Sequence, residues 1–173
     1  MPALTIQPPT LADIEALYAF ELSNRSYFET WINARPADYY SLSGVAQAIE
    51  SAQHDAAKDL AYQFLVRENG VLLARVNLTQ VKRPHLQQAA LGYRVGQEHQ
   101  GRGVAKGAVR LALQQAFSEL GLWRVEATSR PENPASVKVL LANGFTQFGH
   151  AKRCFQLGTC WYDLLHFEAH AEH

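Results

Sequence analysis

The hydrophobic pattern changes period several times along the chain, and each change marks an element. In "TLADIEALYAFELS", Ile14, Leu17 and Tyr18 fall at helical spacing behind Thr10 and Asp13 in capping-box positions. A less regular helical stretch, "SYFETWI", follows. "RPADYY" reads as a loop because Pro36 interrupts it, and "SLSGVAQAIESAQHDAAKDL" reads as a helix. The pattern then becomes that of strands. "AYQFLVRENGVLLARVNLTQV" holds two β-rich runs joined at Glu68-Asn69-Gly70, and Asn-Gly is a strong hairpin signal. "PHLQQ" is a loop and "AALGYRV" a strand. "EHQGRGVAKGAVRLALQQAF" is a glycine-rich turn entering a helix that ends near Leu120, where Gly121 supplies a left-handed cap. "LWRVEATS" is a further strand. Asn133 caps a helix that starts at Pro134 and closes on Gly144. "FTQFGHAKRCF" and "CWYDLLHFEA" then form a hairpin across Gln156 to Thr159.

A helical front, an antiparallel meander, a strand–helix–strand crossover, a helix and a hairpin imply an α+β fold, a mixed sheet with helices on both faces. With no repeat, low-complexity tract or Gly/Ser linker, residues 1–173 read as a single domain. Its 47% hydrophobic and 18% charged residues suit a globular core and exclude disorder. No apolar run is long enough to span a bilayer. The start "MPALTIQPPTLAD" has neither a basic n-region nor an apolar h-region. Cys154 and Cys160 are the only cysteines and make no disulfide framework. A cytoplasmic location without a membrane partner is expected.

Charge is unevenly distributed. Up to residue 60 eight carboxylates stand against Arg25, Arg35 and Lys58, a net −5, and the remainder carries the balancing +5. One end would suit a cationic partner and the other an anionic one, although surface charge also segregates without a binding reason. No basic stripe with interleaved aromatics appears, so nucleic acid is not an expected partner.

Gly101, Gly103 and Gly107 crowd the entry to a helix, where glycine is normally avoided. Strand, glycine turn and helix N-terminus together make an anion site of unpaired N–H groups and a positive dipole end. A nucleotide P-loop would need Lys-Ser/Thr after its second glycine, but Gly107 follows Lys106. A dinucleotide fingerprint would need a closer last glycine and a parallel βαβ unit. The remaining pattern, Gln-x-x-Gly-x-Ala at Gln100, Gly103 and Ala105, resembles the acyl-CoA pyrophosphate loop of the GNAT superfamily of N-acetyltransferases. The neighbours extend the likeness. "LGYRV" resembles the family's splayed central strand, and "ENPASVKVLLANGF" its Asn-x-x-Ser … Gly-Phe segment through Asn133, Ser136, Gly144 and Phe145. "WYDLLHF" resembles its final strand with Asp163, and "NRSYFETWI" the front of the RimJ/RimL branch, which acetylates ribosomal-protein N-termini.

The resemblance implies acetyl-CoA as cosubstrate and a GNAT-like, mostly antiparallel sheet whose central strand ends in a bulge and parts from its neighbour. It implies pyrophosphate contacts around Gln100, Gly101, Arg102, Gly103, Val104 and Ala105. Pantetheine would pair with the main chain of Tyr93, Arg94 and Val95, with the Val95 N–H as oxyanion donor and Asn133 as a further CoA contact. Leu140 stands where many members carry an acidic tyrosine. Ser136 takes the leaving-group role in the RimL-like branch, by hydrogen-bonding the thiolate, or is an ordinary first-turn serine. The base is open between Glu21, Glu98 and a water relay, because Ala90 stands near the position where the branch often has an acid. Glu21, Trp31, Tyr39 and Tyr40 are candidates for the acceptor groove, the aromatics being core residues otherwise. His166, His170 and His173 lack an accompanying acid or cysteine cluster, and no metal is expected.

The implied activity is acetyl transfer from acetyl-CoA to an amine, with a protein N-terminus as the leading acceptor. A polyamine or antibiotic-like amine is the alternative with the same chemistry. A non-catalytic acyl-CoA-binding protein is the alternative from another class.

Overall fold

The computed structural model describes residues 3–172. Met1 and Pro2, part of the stretch inspected for a leader, and His173 lie outside the described residues. Seven strands form one sheet: β1 (Thr5–Gln7), β2 (Tyr62–Glu68), β3 (Val71–Lys82), β4 (Gln88–Val95), β5 (Arg124–Ser129), β6 (Thr146–Leu157) and β7 (Cys160–His170). Their spatial order is β1-β2-β3-β4-β5-β7-β6. All neighbours are antiparallel except β4 and β5. A parallel pair requires a crossover, and the chain makes it through the helix that follows the glycine turn.

The helices are α1 (Ile14–Ser23), α2 (Arg25–Phe28), α3 (Leu42–Ala57), α4 (Val104–Gln114) and α5 (Pro134–Leu141). The side-chain period of two along β2 divides the core. Phe64 and Val66 join Val76, Leu78, Val109 and Leu140 under α4 and α5. Leu65, between them, packs with Leu17, Phe20, Val45 and Ile49 of α1 and α3. Helices therefore cover both faces, and this is why β2 reads as a nearly continuous apolar run.

Local chemistry sets the ends of the elements. Asn69 and Gly70 have φ of 50° and 82°, the positive pair that a two-residue hairpin turn demands. Asn133 Oδ1 accepts from the Ser136 amide at 3.2 Å and caps α5. The Thr10 amide donates to Asp13 at 2.7 Å, as the capping-box reading expects. Two features were not anticipated. β1 is a three-residue edge strand just ahead of Pro8 and Pro9, too short to show a period. The helix after the glycine turn ends in a π-helical segment, Gln115–Glu119, before Gly121.

Candidate active site

β4 and β5 pair only from Gln88↔Arg124 to Leu91↔Ala127. Beyond that point β4 stays with β3 through Ala74↔Val95, while β5 stays with β7 through Ser129↔Leu165. The two strands thus separate and open a wedge at their C-terminal ends. The Gly96 amide donates to Leu73 O on β3 at 2.9 Å, so by strand alternation the Val95 amide points the other way, into the wedge. The bulge expected here is absent. The β3–β4 register is regular from Ala74 to Thr79, and its irregularity lies at the far end, between Thr79 and Lys82. A free donor therefore arises because β5 diverges, with no extra residue inserted into β4.

At the mouth of the wedge, Gly101 and Gly103 have φ of 72° and 77°, and a Cβ on either would meet nothing within 4 Å. The space above them is open, and it is their backbone conformation that calls for glycine. Gly103 is the N-cap of α4 and no side chain caps this end. The first amides of the helix thus face the opening unpaired, a seat for an anion. Gly107 differs: a Cβ there would lie 2.6 Å from Leu4 Cδ1, so this glycine admits the chain leading into β1 against the helix. Arg102 turns aside to Glu68 at 3.1 Å. The Gln100 side-chain amide donates to Val95 O at 3.1 Å and ties the loop to the strand end.

Two adjoining cavities occupy the wedge. One, of about 250 Å³, reaches from Gln100 and Ala105 past Val95 and Arg94 to Phe28. The other, of about 280 Å³, lies at the crotch beside Leu91, Gly92, Thr128 and Arg130, closed by Phe155 and Leu164. Trp31, Ile32, Tyr93, Asn133 and Ser136 line both. Asn33 Nδ2 donates to Gln156 O at 3.0 Å and joins the segment after α2 to the β6–β7 hairpin over this space. Asn24 braces the other end, its Nδ2 donating to Phe20 O and its Oδ1 accepting from the Gln97 amide at 2.8 Å.

Tyr93 enters as a side chain as well as a backbone. Its hydroxyl lies 2.8 Å from Ser136 Oγ. Burial pushes the Tyr93 hydroxyl above the ordinary tyrosine range, and the Ser136 hydrogen bond only partly offsets this. Leu140 is fully buried in the core under α5 and faces neither cavity. The alternation that puts Tyr93 on the α5 side was available in the sequence, but its meeting with a residue 43 positions away was not.

Glu21 is no surface carboxylate. It is 1% exposed, pairs with Arg75 Nη1, and has Oε2 3.6 Å from both Arg35 and Arg94. Its place was readable: Leu17, Phe20 and Glu21 sit at i, i+3 and i+4 on one helical face. Arg94, between this cluster and the cavity, has its pKa lowered to about 10, first by burial and then by Arg35. Glu98 stays in solvent, 81% exposed, beside His99. Tyr39 is buried and accepts from Arg75 Nη1 at 3.1 Å, while Tyr40 packs edge-on against it beneath Arg25. Neither tyrosine reaches the cavities, whereas Trp31 lines both. Asp163 accepts from the Arg153 amide at 2.8 Å and pins the irregular β6–β7 pairing. The acidic front half supplies no carboxylate to either lining. Asp13, Glu29 and Asp59 are spent on Arg67, Arg25 and Arg83. Among the described residues no cluster of three or more His, Cys, Asp or Glu could hold a metal, and no helix is long and apolar enough to cross a membrane.

Residues 3–146 match the family model described as an acetyltransferase (GNAT) domain. The probable N-acetyltransferase YjcK of Bacillus subtilis (strain 168) is 34% identical over 160 residues, covering 91% of this chain and 88% of that protein. In fold, the chain is similar to the ribosomal-protein-S5-alanine acetyltransferase of Vibrio fischeri, with a TM-score of 0.93 at 23% identity over 98% of this chain and 94% of that one. It is also similar to Mycobacterium smegmatis RimJ in complex with CoA-disulfide, with a TM-score of 0.91 at 24% identity over 97% and 82% of the two chains.

Proposed function

The chain belongs to the GNAT acetyltransferase family and is an acetyl-CoA-dependent N-acetyltransferase, and from that premise we propose that its acceptor is the α-amine at the N-terminus of a protein. The observation that carries this reading is the acceptor end of the wedge. Its lining combines the apolar side chains of Trp31, Ile32, Phe155 and Leu164 with Arg130, Asn133 and Ser136, and holds no carboxylate. A polyamine keeps charge at several nitrogens and needs several acids to hold it. A protein N-terminus presents a single amine on a chain that can lie between apolar walls. The ribosomal-protein-S5-alanine acetyltransferase of similar fold is in keeping with it.

The residues present fit the cosubstrate. The uncapped turn at Gly101, Arg102, Gly103, Val104 and Ala105 would hold the pyrophosphate, and the free edge of Tyr93 and Val95 would pair with the pantetheine arm. Acetyl-CoA, when bound, supplies an activated acetyl group and a thiolate leaving group. The Val95 N–H, free of the ladder, is the donor for the oxygen on which negative charge develops. The Tyr93 hydroxyl and Ser136 Oγ share a hydrogen bond in which either can donate; with the tyrosine donating, the serine proton is left to face the departing sulfur. A tyrosine is protonated at neutral pH, and burial moves Tyr93 further from ionisation, so its hydroxyl can go on donating. The amine loses its proton through water, since Glu21 is engaged by three guanidinium groups and Glu98 faces solvent.

The test is thiol release from acetyl-CoA with N-terminal peptides, the same peptides blocked at the α-amine, and spermidine. Turnover confined to the free α-amine peptides supports the reading. Turnover on spermidine alone contradicts it and leaves the transfer chemistry standing.

A further inference from the structure

Arg130, in the loop between β5 and α5, lines the cavity at the crotch of the wedge. Its guanidinium lies 3.7 Å from the Tyr162 ring centroid and 5.3 Å from that of Trp31, so two aromatic faces fix its plane. The side chain is 11% exposed, and Nη1 is buried with no hydrogen-bond partner. Among the described residues it forms an ion pair with Glu132, 3.5 Å from Nε and itself 53% exposed. A buried N–H of a charged group left unpaired is costly, and arginine holds its donors in a fixed fork that matches a carboxylate.

The surroundings have the same sign. Arg94 lines the adjoining cavity, and behind it a single carboxylate, Glu21, is shared by Arg35, Arg75 and Arg94. The two linings together hold two arginines and no acid. The uneven charge of the sequence led toward a cationic acceptor, whereas the cleft itself is positive. Arg130 lines the crotch cavity alone, whereas Gln100 and Ala105 of the glycine loop line only the other, so an anion held by that guanidinium would belong to the molecule whose amine is acetylated.

We infer that Arg130 selects acceptors carrying a carboxylate close to the reacting amine, by donating to that carboxylate from its fixed fork. The inference rests on the amine-transfer chemistry above; a peptide source would narrow the protein N-terminus reading, and a free amino acid would replace that acceptor. The carboxylate has two possible sources, an acidic side chain near the start of a peptide or the carboxylate of a free amino acid.

The experiment compares kcat/KM for peptides identical except for Ser-Asp, Ser-Asn or Ser-Lys at the start, and for free aspartate, on the wild type, Arg130→Gln and Arg130→Lys. CoA affinity is measured alongside. The wild type should prefer Ser-Asp over Ser-Lys by roughly 10- to 100-fold, the range of a desolvated charge pair. Arg130→Gln should collapse that ratio toward one. Arg130→Lys, which keeps the charge and loses the fork, should retain only part of it, and it serves alone if the glutamine variant does not fold. Turnover of free aspartate above that of Ser-Asp would identify the amino acid as the source, and the reverse the peptide. Equal rates on the three peptides, a preference for Ser-Lys, or a preference that survives Arg130→Gln overturns the inference while leaving the acetyltransferase reading intact. A loss of CoA affinity in Arg130→Gln with the ratio unchanged assigns the residue to the cosubstrate and also overturns it. No turnover on any acceptor while CoA still binds defeats the amine-transfer reading, and the inference with it.

Discussion

On the proposed reading, the groups at the α4 end of the wedge that would face the cosubstrate are peptide N–H donors. They lie at Gly103, Val104, Ala105 and Val95, made available by an uncapped helix and a strand that has lost its neighbour. At the crotch the ligand-facing groups are side chains from three distant segments. Trp31 follows α2, Arg130 follows β5, and Phe155 and Leu164 belong to the last hairpin. The first end depends on backbone conformation, so most substitutions there would leave its donors in place, and it suits a cosubstrate that never varies. The second can change with every side chain, which is what an acceptor site requires. The proposed function would thus be divided between a general half and an individual half of one cleft.

The largest effect that would break this division is at Gly103. Glutamate there meets open space but a φ of 77°, and it sets bulk and negative charge on the anion seat. Gly103→Glu should weaken CoA binding by about 100-fold or more while circular dichroism stays native. Unchanged affinity would remove the loop from the account.

The next effects lie where the two halves meet. Ser136→Ala should lower kcat by about 10- to 100-fold with the KM for acetyl-CoA nearly unchanged. Tyr93→Phe removes the hydroxyl that contacts Ser136 Oγ and the Ser136 carbonyl, and should lower kcat by about 3- to 10-fold. The sign of the pH dependence follows from the raised Tyr93 pKa. A donor whose pKa lies above the usual tyrosine value of about 10 keeps its proton across the working range. The rate should therefore rise with pH as the acceptor amine, near 7.7–8.0, loses its proton, with no falling limb from Tyr93 below about 10. Tyr93→Phe should lower that plateau without moving the rising limb. A limb that shifts would make Tyr93 the titrating base.

The smallest effect sharpens the contrast within one turn of helix. Gly107→Ala gains helix propensity of about 1 kcal/mol and needs only the end of Leu4 to give way, so stability should change by less than about 1 kcal/mol. CoA affinity should stay within about 2-fold. A loss comparable to that at Gly103 would mean that all three glycines serve the ligand.

Much of the fold was readable because its signals are local. The Asn69-Gly70 hairpin, the Asn133-Pro134 helix start and the glycine caps each depend on a few adjacent residues. β1 was not readable, since three residues ahead of a proline pair show no period. The general half of the site was legible for the same reason as the caps: its glycines and Gln100 lie in one short stretch. The individual half was not. Trp31 was singled out, but Tyr39 and Tyr40 fell to the core, and Arg130 was passed over because its aromatic neighbours are supplied by the segment after α2 and by β7. Glu21 lay on the buried helical stripe, yet its three arginines come from a loop and two strands, a meeting that only the folded sheet creates.

On the proposed reading the wedge edge of β4 receives the pantetheine arm. Amide hydrogen exchange read residue by residue, with and without CoA, tests it most directly. The account predicts that Tyr93, Val95, Val104 and Ala105 gain protection together when CoA is added, while Arg94, already paired to β3, changes little. Protection gained at the α4 amides with none at Tyr93 and Val95 would contradict it, because the ligand would then be held at the loop and the parted strands would have no part in binding it.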